Sequence, residues 1–152
     1  MVSCGIVLKN SEGKYLFVQA TGNNRDRCFG VPKGLVNDSE DFETCARREF
    51  FEETNNKIEG PITLIYDEDP SNEHILSKTK KYLKIFLAEG EFDFSIFKSN
   101  TCIVNINGND VEIPEVCNPT FFTLEEIENK CFFSQIKLIE TLKNLETKSL
   151  KK

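Results

Sequence analysis

The feature that most constrains this chain is a set of acidic residues on the apolar face of a predicted helix. Residues 41–54 contain neither Gly nor Pro, and the chain from Ser39 onward combines a hydroxyl side chain with several acids. A polar cap followed by acids in the first turn is typical of a helix start, so a helix capped by Ser39 is predicted. At about 100° per residue, Glu49 and Glu53 fall on the same face as Cys45 and its apolar neighbours. An ordinary amphipathic helix does not turn carboxylates inward.

Three carboxylates of this helix are close enough in sequence to share one or two cations. Glu49, Glu52 and Glu53 have i, i+3 and i+4 spacing, which makes them neighbours on a helix surface. Carboxylates turned toward a protein interior repel one another and lose hydration, so they need a compensating cation or become protonated. Hard oxygen ligands suit Mg²⁺ or Mn²⁺ better than zinc. The alternative is a solvated acidic helix, because runs such as REFFEE occur on many surface helices.

The spacing of these residues resembles the signature of the Nudix hydrolases. That signature reads Gly, five residues, Glu, seven residues, Arg-Glu, a bulky apolar residue, any residue, Glu-Glu, any residue, Gly and a bulky apolar residue. Seven of its nine fixed positions are filled, by Gly34, Glu40, Arg48, Glu49, Phe50, Glu52 and Glu53. Asn55 and Asn56 depart from it. Asn readily adopts the left-handed conformation, so a helix ending at Asn55 can still turn. Ile58 can supply the apolar contact that Asn56 lacks; otherwise the helix end packs more loosely.

The resemblance implies both a fold and a reaction. The fold is of the α/β class, the Nudix fold, in which a mixed β-sheet lies between helices as an α/β/α sandwich. The reaction is attack of water on a phosphorus atom of a diphosphate linkage, with Mg²⁺ (or Mn²⁺) as cofactor. The implied metal ligands are Glu49, Glu52, Glu53 and the main-chain carbonyl of Lys33. Arg48 is expected to orient the neighbouring carboxylates, Glu40 to brace the loop and helix, and Gly34 to allow close approach of the backbone.

A further acid is expected from the second half of the chain. In some Nudix proteins the loop before the last strand carries another Glu, which binds metal or acts as the general base. Glu115 is the best match by position, because it precedes NPTFFTLEEI, which looks like the final strand and its turn into a helix. Glu112 is the reserve candidate. Residues 93–118 are otherwise predicted to be irregular, with Asn-rich turns.

Candidate substrate-binding residues come from three segments. The Pro-Lys-Gly segment supplies Lys33 and Gly34, and a polar loop supplies Arg27. Period-2 alternation in the predicted strand KTKKYLKIFLAEGEF places Tyr82 and Lys84 on one face. There Lys84 can bind phosphate and Tyr82 can stack on a base. The alternative is an edge strand kept soluble by its lysines.

Several diphosphate substrates agree with the resemblance. The Pro-Lys-Gly segment, Tyr82 and the strand sequence FLAE look like the small dinucleoside tetraphosphate hydrolases, so bis(5′-nucleosyl)-tetraphosphate, such as diadenosine tetraphosphate, is the first expectation. Diphosphoinositol polyphosphate is less favoured, because the acidic chain offers no dense basic rim. ADP-ribose, to which the loop residue Pro70 lends weak support, and 5′-phosphorylated RNA ends are also candidate substrates. His74, in a polar loop, is expected to be exposed rather than bound to substrate.

An alternative of a different class is a non-catalytic module that keeps the fold and binds a nucleotide or a protein. Loss of the helix carboxylates is the feature that would indicate such a module. All three are present together with Arg48. The motif therefore favours a hydrolase that acts on phosphoanhydride bonds.

Composition limits the setting in which such an enzyme works. The 152 residues, 39% of them hydrophobic, support a single domain over residues 1–147, with residues 148–152 as a frayed tail. A net charge of −6 argues against membrane-surface binding and against broad nucleic-acid binding. The resemblance implies a small phosphorylated molecule as the partner, with RNA 5′ ends as the one nucleic acid that remains a candidate. The six cysteines lack regular spacing and no signal segment is evident, so reduced thiols and a cytoplasmic location are expected.

The remaining elements follow from local patterns. Residues 3–9 and 14–20 are short apolar runs separated by a polar turn, and residues 61–67 form a third run, so all three are predicted strands. Thr123 and Glu126 have the spacing of a capping box before a short helix. A longer helix is predicted over residues 132–145.

Overall fold

The computed structural model describes residues 1–21, 28–68 and 82–150. Within them, the strands are β1 (Val2–Lys9), β2 (Tyr15–Ala20), β3 (Phe29–Gly30), β4 (Lys33–Leu35), β5 (Thr63–Asp67), β6 (Tyr82–Glu89), β7 (Thr101–Ile106), β8 (Asn109–Pro114) and β9 (Val116–Phe122). The helices are α1 (Phe42–Thr54), α2 (Leu124–Glu128) and α3 (Ile136–Leu150). Short 3₁₀ turns occur at Phe94–Ile96 and Phe133–Gln135. None of these helices has the length and apolar character needed to span a bilayer.

The main sheet is mixed because one of its strand pairs is parallel. Its order is β3-β2-β1-β6-β5, with β4 also paired to β1 and β9 also paired to β2. Strands β1 and β6 run parallel, with Val2 opposite Tyr82, and the other pairs are antiparallel. Strands β7 and β8 form a separate antiparallel hairpin. The connection from β1 to β6 carries α1, as a crossover between parallel strands requires.

Each face of the sheet is covered by helix. Alternate residues of β1, among them Ile6 and Leu8, pack with Cys45, Ala46 and Phe50 of α1 in the α1-side core. The α3-side core contains residues from the opposite face of the sheet together with helical residues; they include Val7, Phe17, Leu83, Ile85, Ile127, Leu138, Ile139 and Leu142. The chain is therefore an α/β/α sandwich with a mixed sheet, as predicted. All six cysteines are free thiols.

The N-terminus of α1 differs from the sequence prediction by two residues. Asp41 is the N-cap, and its side chain accepts a hydrogen bond from the main-chain nitrogen of Thr44 at 2.7 Å. The expectation that Ser39 caps the helix is wrong, because Ser39 lies before the first turn with a φ of 65°. A carboxylate cap also suits the positive end of the helix dipole.

The C-terminus of α1 shows how the chain tolerates its two departures from the signature. Asn55 is left-handed, with a φ of 59°, and its main-chain nitrogen donates to the carbonyl of Phe51 at 2.7 Å, as predicted. Asn56 is buried, and its side chain bridges to Asp93: Nδ2 donates to the Asp93 carbonyl at 3.1 Å and Oδ1 accepts from the Asp93 nitrogen at 2.9 Å. Ile58 packs against the α1-side core. Hydrogen bonds thus replace the expected apolar contact at Asn56.

The second half of the chain is more regular than predicted. Residues 101–114 form the β7–β8 hairpin, whose two turn residues, Asn107 and Gly108, have φ values of 52° and 85°. Positive φ at both positions is what a tight two-residue hairpin turn requires, and Asn-Gly is its strongest sequence signal. The prediction of an irregular segment over residues 93–118 was therefore wrong.

The other local predictions hold to within a few residues. The strands predicted over 3–9, 14–20 and 61–67 correspond to β1, β2 and β5. The capping box is present, since Thr123 accepts from the Glu126 nitrogen and Glu126 accepts from the Thr123 nitrogen. The last helix begins later than predicted, at Ile136, and continues to Leu150 rather than ending at residue 145.

Candidate active site

The Arg48 guanidinium group donates hydrogen bonds to three acidic residues of the candidate site. Its Nε donates to Glu40 Oε2 at 2.7 Å, and one terminal nitrogen donates to Glu40 Oε1 at 2.9 Å. The other terminal nitrogen donates to Glu49 Oε1 at 2.8 Å and to Glu52 Oε2 at 3.1 Å. These hydrogen bonds hold the pKa of Glu40 down at about 2. The bracing expected of Glu40 and the orienting expected of Arg48 thus correspond to direct contacts.

Gly34 leaves the space that the Glu49 carboxyl group fills. A Cβ atom at this position would lie 2.1 Å from the Glu49 carboxyl carbon and from one of its oxygens. Such a contact is far inside van der Waals distance, so any larger residue displaces Glu49. The Gly34 carbonyl accepts the thiol hydrogen of Cys45 at 3.6 Å, which ties β4 to α1. Close backbone approach is therefore the reason for glycine here.

Glu53 and Glu49 are buried charges on the inner face of α1. Glu53 is 4% exposed, and burial, followed by the nearby carboxylates of Glu49 and Glu115, raises its pKa to about 8. The ammonium group and the main-chain N–H of Lys33 act in the opposite direction. Burial also raises the pKa of Glu49, against the lowering effect of Arg48. Near neutral pH, Glu53 keeps its proton unless additional positive charge arrives.

Glu115 comes from the junction of β8 and β9 and faces the same carboxylates. Its charge raises the pKa of both Glu49 and Glu53, so the three groups form one electrostatic cluster. The cluster includes Glu115, the acid expected from the loop before the last strand. Glu112 instead lies on the exposed hairpin and accepts a hydrogen bond from the Thr101 hydroxyl.

A short segment before β7 fixes the backbone of Glu115 relative to α1. The Asn100 nitrogen donates to the Glu52 carbonyl at 2.8 Å, and the Glu115 nitrogen donates to the Asn100 carbonyl at 2.8 Å. The Ser99 hydroxyl also donates to the Asn100 carbonyl, at 2.8 Å, and accepts from the Val116 nitrogen at 3.1 Å. Within the described chain, the buried Oδ1 of Asn100 has no hydrogen-bond partner. Three segments distant in sequence thus meet at the end of α1.

A cavity of about 650 Å³ opens beside this cluster. Lys33, Glu53 and Glu115 line it together with apolar and polar side chains from the sheet, the hairpin and the turn before α3. The apolar lining residues are Val18, Ala20, Val31, Cys102, Val104, Val116 and Phe132. The polar ones are Thr21, Asn105 and Gln135. Sequence reasoning missed the contribution of β7 and of Gln135. The Asn-Gly turn was a signal for β7, whereas nothing local distinguished Gln135.

Two predicted substrate-binding residues lie away from this cavity. Lys84 is 4% exposed, with its Nζ 2.7 Å from Asp67 Oδ1 and 4.8 Å from the centre of the Phe42 ring. It is a buried cation packed on α1, which corrects the expectation that it lines a phosphate site. Tyr82 packs at the edge of the α1-side core and is not among the residues that line the cavity. Arg27, and with it His74 and Pro70, lies outside the described residues.

The residues at the end of α1 fit a hard divalent cation. Over residues 1–21, 28–68 and 82–150, no three acidic, Cys or His side chains form a ready-made metal cluster. Arg48 contacts oxygens of Glu49 and Glu52 that a cation needs, so binding requires those side chains to turn. The donor atoms are nevertheless carboxylate oxygens, and those of Glu49 and Glu53 are held at low hydration. Oxygen donors and uncompensated negative charge are what Mg²⁺ or Mn²⁺ requires.

Comparisons with known proteins agree with this architecture. An Ap4A hydrolase from C. elegans, solved as a binary complex, superposes with a TM-score of 0.62 at 19% identity, covering 96% of this chain and 97% of that one. A NUDIX hydrolase from Nitrosomonas europaea gives 0.65 at 18%, covering 95% and 88%. The NUDIX domain of Shewanella oneidensis NrtR, complexed with ADP ribose, gives 0.64 at 15%, covering 95% and 86%. At these identities the likeness shows a shared fold.

Sequence comparison identifies the family. No curated protein sequence gives a significant match. The family model described as the NUDIX domain matches residues 1–142, which is most of the chain. The match spans every strand, α1 and α2, and so covers both the signature and the cavity. The chain belongs to the NUDIX domain family.

Proposed function

We propose that this protein hydrolyses a diphosphate linkage in a nucleoside diphosphate derivative, with a dinucleoside tetraphosphate as the first candidate substrate. The observation that carries the proposal is the buried Glu53, which lines a cavity and whose pKa is raised to about 8 by burial and by the nearby Glu49 and Glu115. A fold gains nothing from two desolvated carboxylates that face a third carboxylate unless positive charge or a proton joins them. Such clusters are typical of functional sites.

Glu49, Glu52, Glu53 and the main-chain carbonyl of Lys33 are the proposed ligands of Mg²⁺ or Mn²⁺. When bound, the cation supplies charge neutralisation for the phosphate oxygens and lowers the pKa of water. Arg48 restrains Glu49 and Glu52 and keeps Glu40 ionised, so the ligand side chains stay near the end of α1. The Lys33 ammonium can pair with phosphate oxygens, since it already acts electrostatically on Glu53.

The proposed reaction needs one proton acceptor among the carboxylates. The oxygen of water forms a bond to phosphorus, the bridging oxygen leaves with its electron pair, and a carboxylate takes the proton of the water. Glu53 and Glu115 are the two candidates, because both line the cavity and neither receives a hydrogen bond from Arg48 in the described chain. Burial and like charge raise the pKa of Glu53, which makes it a stronger base than an exposed carboxylate.

The size of the cavity and two similar structures bear on which substrate is hydrolysed. The cavity volume of about 650 Å³ suits a nucleotide portion of the substrate. Similarity to the C. elegans Ap4A hydrolase supports a dinucleoside tetraphosphate, and similarity to a domain that binds ADP ribose supports ADP-ribose as the alternative. Diphosphoinositol polyphosphate and 5′-phosphorylated RNA ends complete the set to be tested.

The test is product analysis with Mg²⁺ on diadenosine tetraphosphate, ADP-ribose, a diphosphoinositol polyphosphate and triphosphorylated RNA. Wild-type protein is compared with Glu53→Gln and with the control Glu112→Gln, which changes an exposed acid on the hairpin. We expect cleavage of diadenosine tetraphosphate to ATP and AMP, lost in Glu53→Gln and retained in Glu112→Gln. Preferential cleavage of another compound of the panel would support the proposed reaction and make that compound the candidate substrate. Absence of turnover with every member supports the non-catalytic binding module instead.

A further inference from the structure

Gln135 presents a fixed amide group to the wall of the cavity. The residue ends the 3₁₀ turn Phe133–Gln135 and is 1% exposed. The main-chain nitrogen of Val31 donates to Gln135 Oε1 at 3.0 Å. Only the oxygen of a side-chain amide accepts a hydrogen bond from an N–H group, so this contact fixes which end of the amide is Nε2. The orientation of the donor is therefore set by the backbone of the chain itself.

The Nε2 group of Gln135 has hydrogens to donate and no acceptor in the described chain. Among residues 1–21, 28–68 and 82–150, hydrogen bonding of the Gln135 side chain is limited to the Val31 contact. Among the described residues, Asn100 Oδ1 is the only fully buried side-chain polar atom without a partner, so Nε2 of Gln135 is open to the cavity that Gln135 lines and is available to a ligand there. Gly30 makes room for the amide, since a Cβ there would lie 2.7 Å from Gln135 Nε2 and 3.1 Å from the Phe132 ring. The backbone thus holds the amide in place at a strand end.

The surroundings of Gln135 indicate what kind of acceptor completes the site. Val18, Val31, Val104 and Phe132 give the same cavity apolar walls, and Lys33, Glu53 and Glu115 line it too. A ligand that satisfies all of these features carries phosphates at one point and a flat, mostly apolar body with a hydrogen-bond acceptor at another. A nucleobase has that composition, because its faces are apolar and its edge carries ring nitrogens and carbonyl oxygens.

We propose that Gln135 Nε2 donates a hydrogen bond to an acceptor on the base of a bound nucleotide, which makes Gln135 a specificity-determining residue. The identity of the ligand as a nucleotide rests on the proposed function. Binding satisfies the unpaired donor without any cost of orienting it, because Val31 already holds the amide. A base without an acceptor at that position covers Nε2 but accepts no hydrogen bond from it. The missing hydrogen bond weakens binding of that base and so discriminates against it.

The experiment measures equilibrium binding of AMP and of its 1-deaza, 3-deaza and 7-deaza analogues, each of which replaces one ring acceptor with C–H. Wild type is compared with Gln135→Met and with the control Gln19→Met, which changes a Gln in β2 that does not line the cavity. We expect one analogue to bind wild type and the control about tenfold more weakly than AMP does, as expected for one lost hydrogen bond. Gln135→Met should bind AMP about tenfold more weakly and show no further loss with that analogue.

A merely structural role for Gln135 gives a different pattern. If the residue only anchors Val31, Gln135→Met weakens AMP and all analogues by the same factor and retains the wild-type sensitivity to acceptor deletion, which overturns the proposal. Equal binding of all four ligands to wild type, or no binding of AMP, also overturns it. Ribose 5-phosphate, which has no base, is the control ligand and should bind the Gln135 variant as it binds wild type.

A folding defect and a catalytic defect are each distinguished from a loss of base recognition. If Gln135→Met fails to fold, Gln135→Glu at about pH 9 replaces it, because its ionised carboxylate accepts from Val31 and has nothing to donate. Hydrolysis is assayed independently of binding. Base recognition through Gln135 without hydrolysis contradicts the proposed function alone, whereas hydrolysis without an effect of Gln135 contradicts this inference alone.

Discussion

Glu53 and Lys84 are two equally buried charges that the fold treats differently. Each side chain belongs to a residue that is 4% exposed. Lys84 has an opposite charge at 2.7 Å, on Asp67, and the face of the Phe42 ring at 4.8 Å. Glu53 has two like charges near it, and its pKa is raised to about 8 despite the influence of Lys33.

The difference lies in whether each buried ionisable group already has a partner of opposite charge in the folded chain. A buried ion with its partner in place is satisfied in the folded chain and has little capacity left for a ligand. A buried carboxylate surrounded by carboxylates takes up a proton or a cation, so its state depends on what the solution supplies. Burial alone identifies neither case, and the sign of the neighbouring charges decides between them.

The largest contrast is expected in catalysis. Glu53→Gln should lower kcat on the best substrate of the panel by about 10³-fold, because a ligand or base acting on the reacting atoms is lost. Lys84→Met should leave kcat within about threefold of wild type, because Lys84 lies away from the cavity. Steady-state kinetics on both variants measures the contrast. A loss of about 10²-fold or more in Lys84→Met would contradict it.

The free energy of unfolding, unlike kcat, should be strongly affected by the loss of Lys84. Lys84→Met should lower the free energy of unfolding by about 3 kcal/mol, because it removes the ammonium group 2.7 Å from the Asp67 carboxylate, which is itself only 21% exposed. The matched control is Lys143→Met, whose partner Glu128 lies at 2.9 Å with both side chains well exposed, and a loss of about 0–1 kcal/mol is expected. Urea unfolding followed by circular dichroism is suitable, because the chain has no Trp. Equal losses in the two variants would show that Lys84 is not a stabilising ion partner.

The pH dependence of stability sharpens the same comparison in metal-free buffer. Since the pKa of Glu53 is raised from 4.5 to about 8 on folding, the folded state holds a proton that the unfolded state releases between these pH values. The contribution of Glu53 to stability is therefore present below about pH 4.5 and is lost as pH rises to about 8. Glu53→Gln should remove this loss. Its free energy of unfolding relative to that of wild type should therefore increase by about 2 kcal/mol as the pH rises from about 5 to about 8. Parallel stability profiles for the two proteins, measured with a chelator present, would contradict the raised pKa.

The smallest effect is expected from displacing one carboxylate without removing it. Gly34→Ala places a methyl group against the Glu49 carboxyl, which should move Glu49 and lower kcat by about tenfold with little change in thermal midpoint. Gly60→Ala is the control, because no atom lies within 4 Å of the Cβ it adds. Kinetics and thermal unfolding of both variants distinguish displacement of Glu49 from general damage.

What could be predicted from the sequence depended on whether the determining contacts are local. The inward carboxylates of α1, the left-handed Asn55 and the capping box at Thr123 follow from spacing within a few residues, and the structure contains them. Lys84 was assigned to the correct face of its strand, but alternation does not reveal what packs over that face. The Gln135 side chain is held by the main-chain nitrogen of Val31, 104 residues away, so no local pattern could identify it.

The hairpin of β7 and β8 has a consequence for how this scaffold acquires new ligands. In the described chain its strands pair with each other and not with the main sheet, yet Cys102, Val104 and Asn105 form one side of the cavity. Its length can change at Asn107 and Gly108 without altering the register of any strand in the main sheet. The tip of this hairpin is thus a part of the cavity wall that insertion or exchange can alter while Glu115 and the main sheet keep their places, which makes a single surface ribbon a route to altered ligand selectivity.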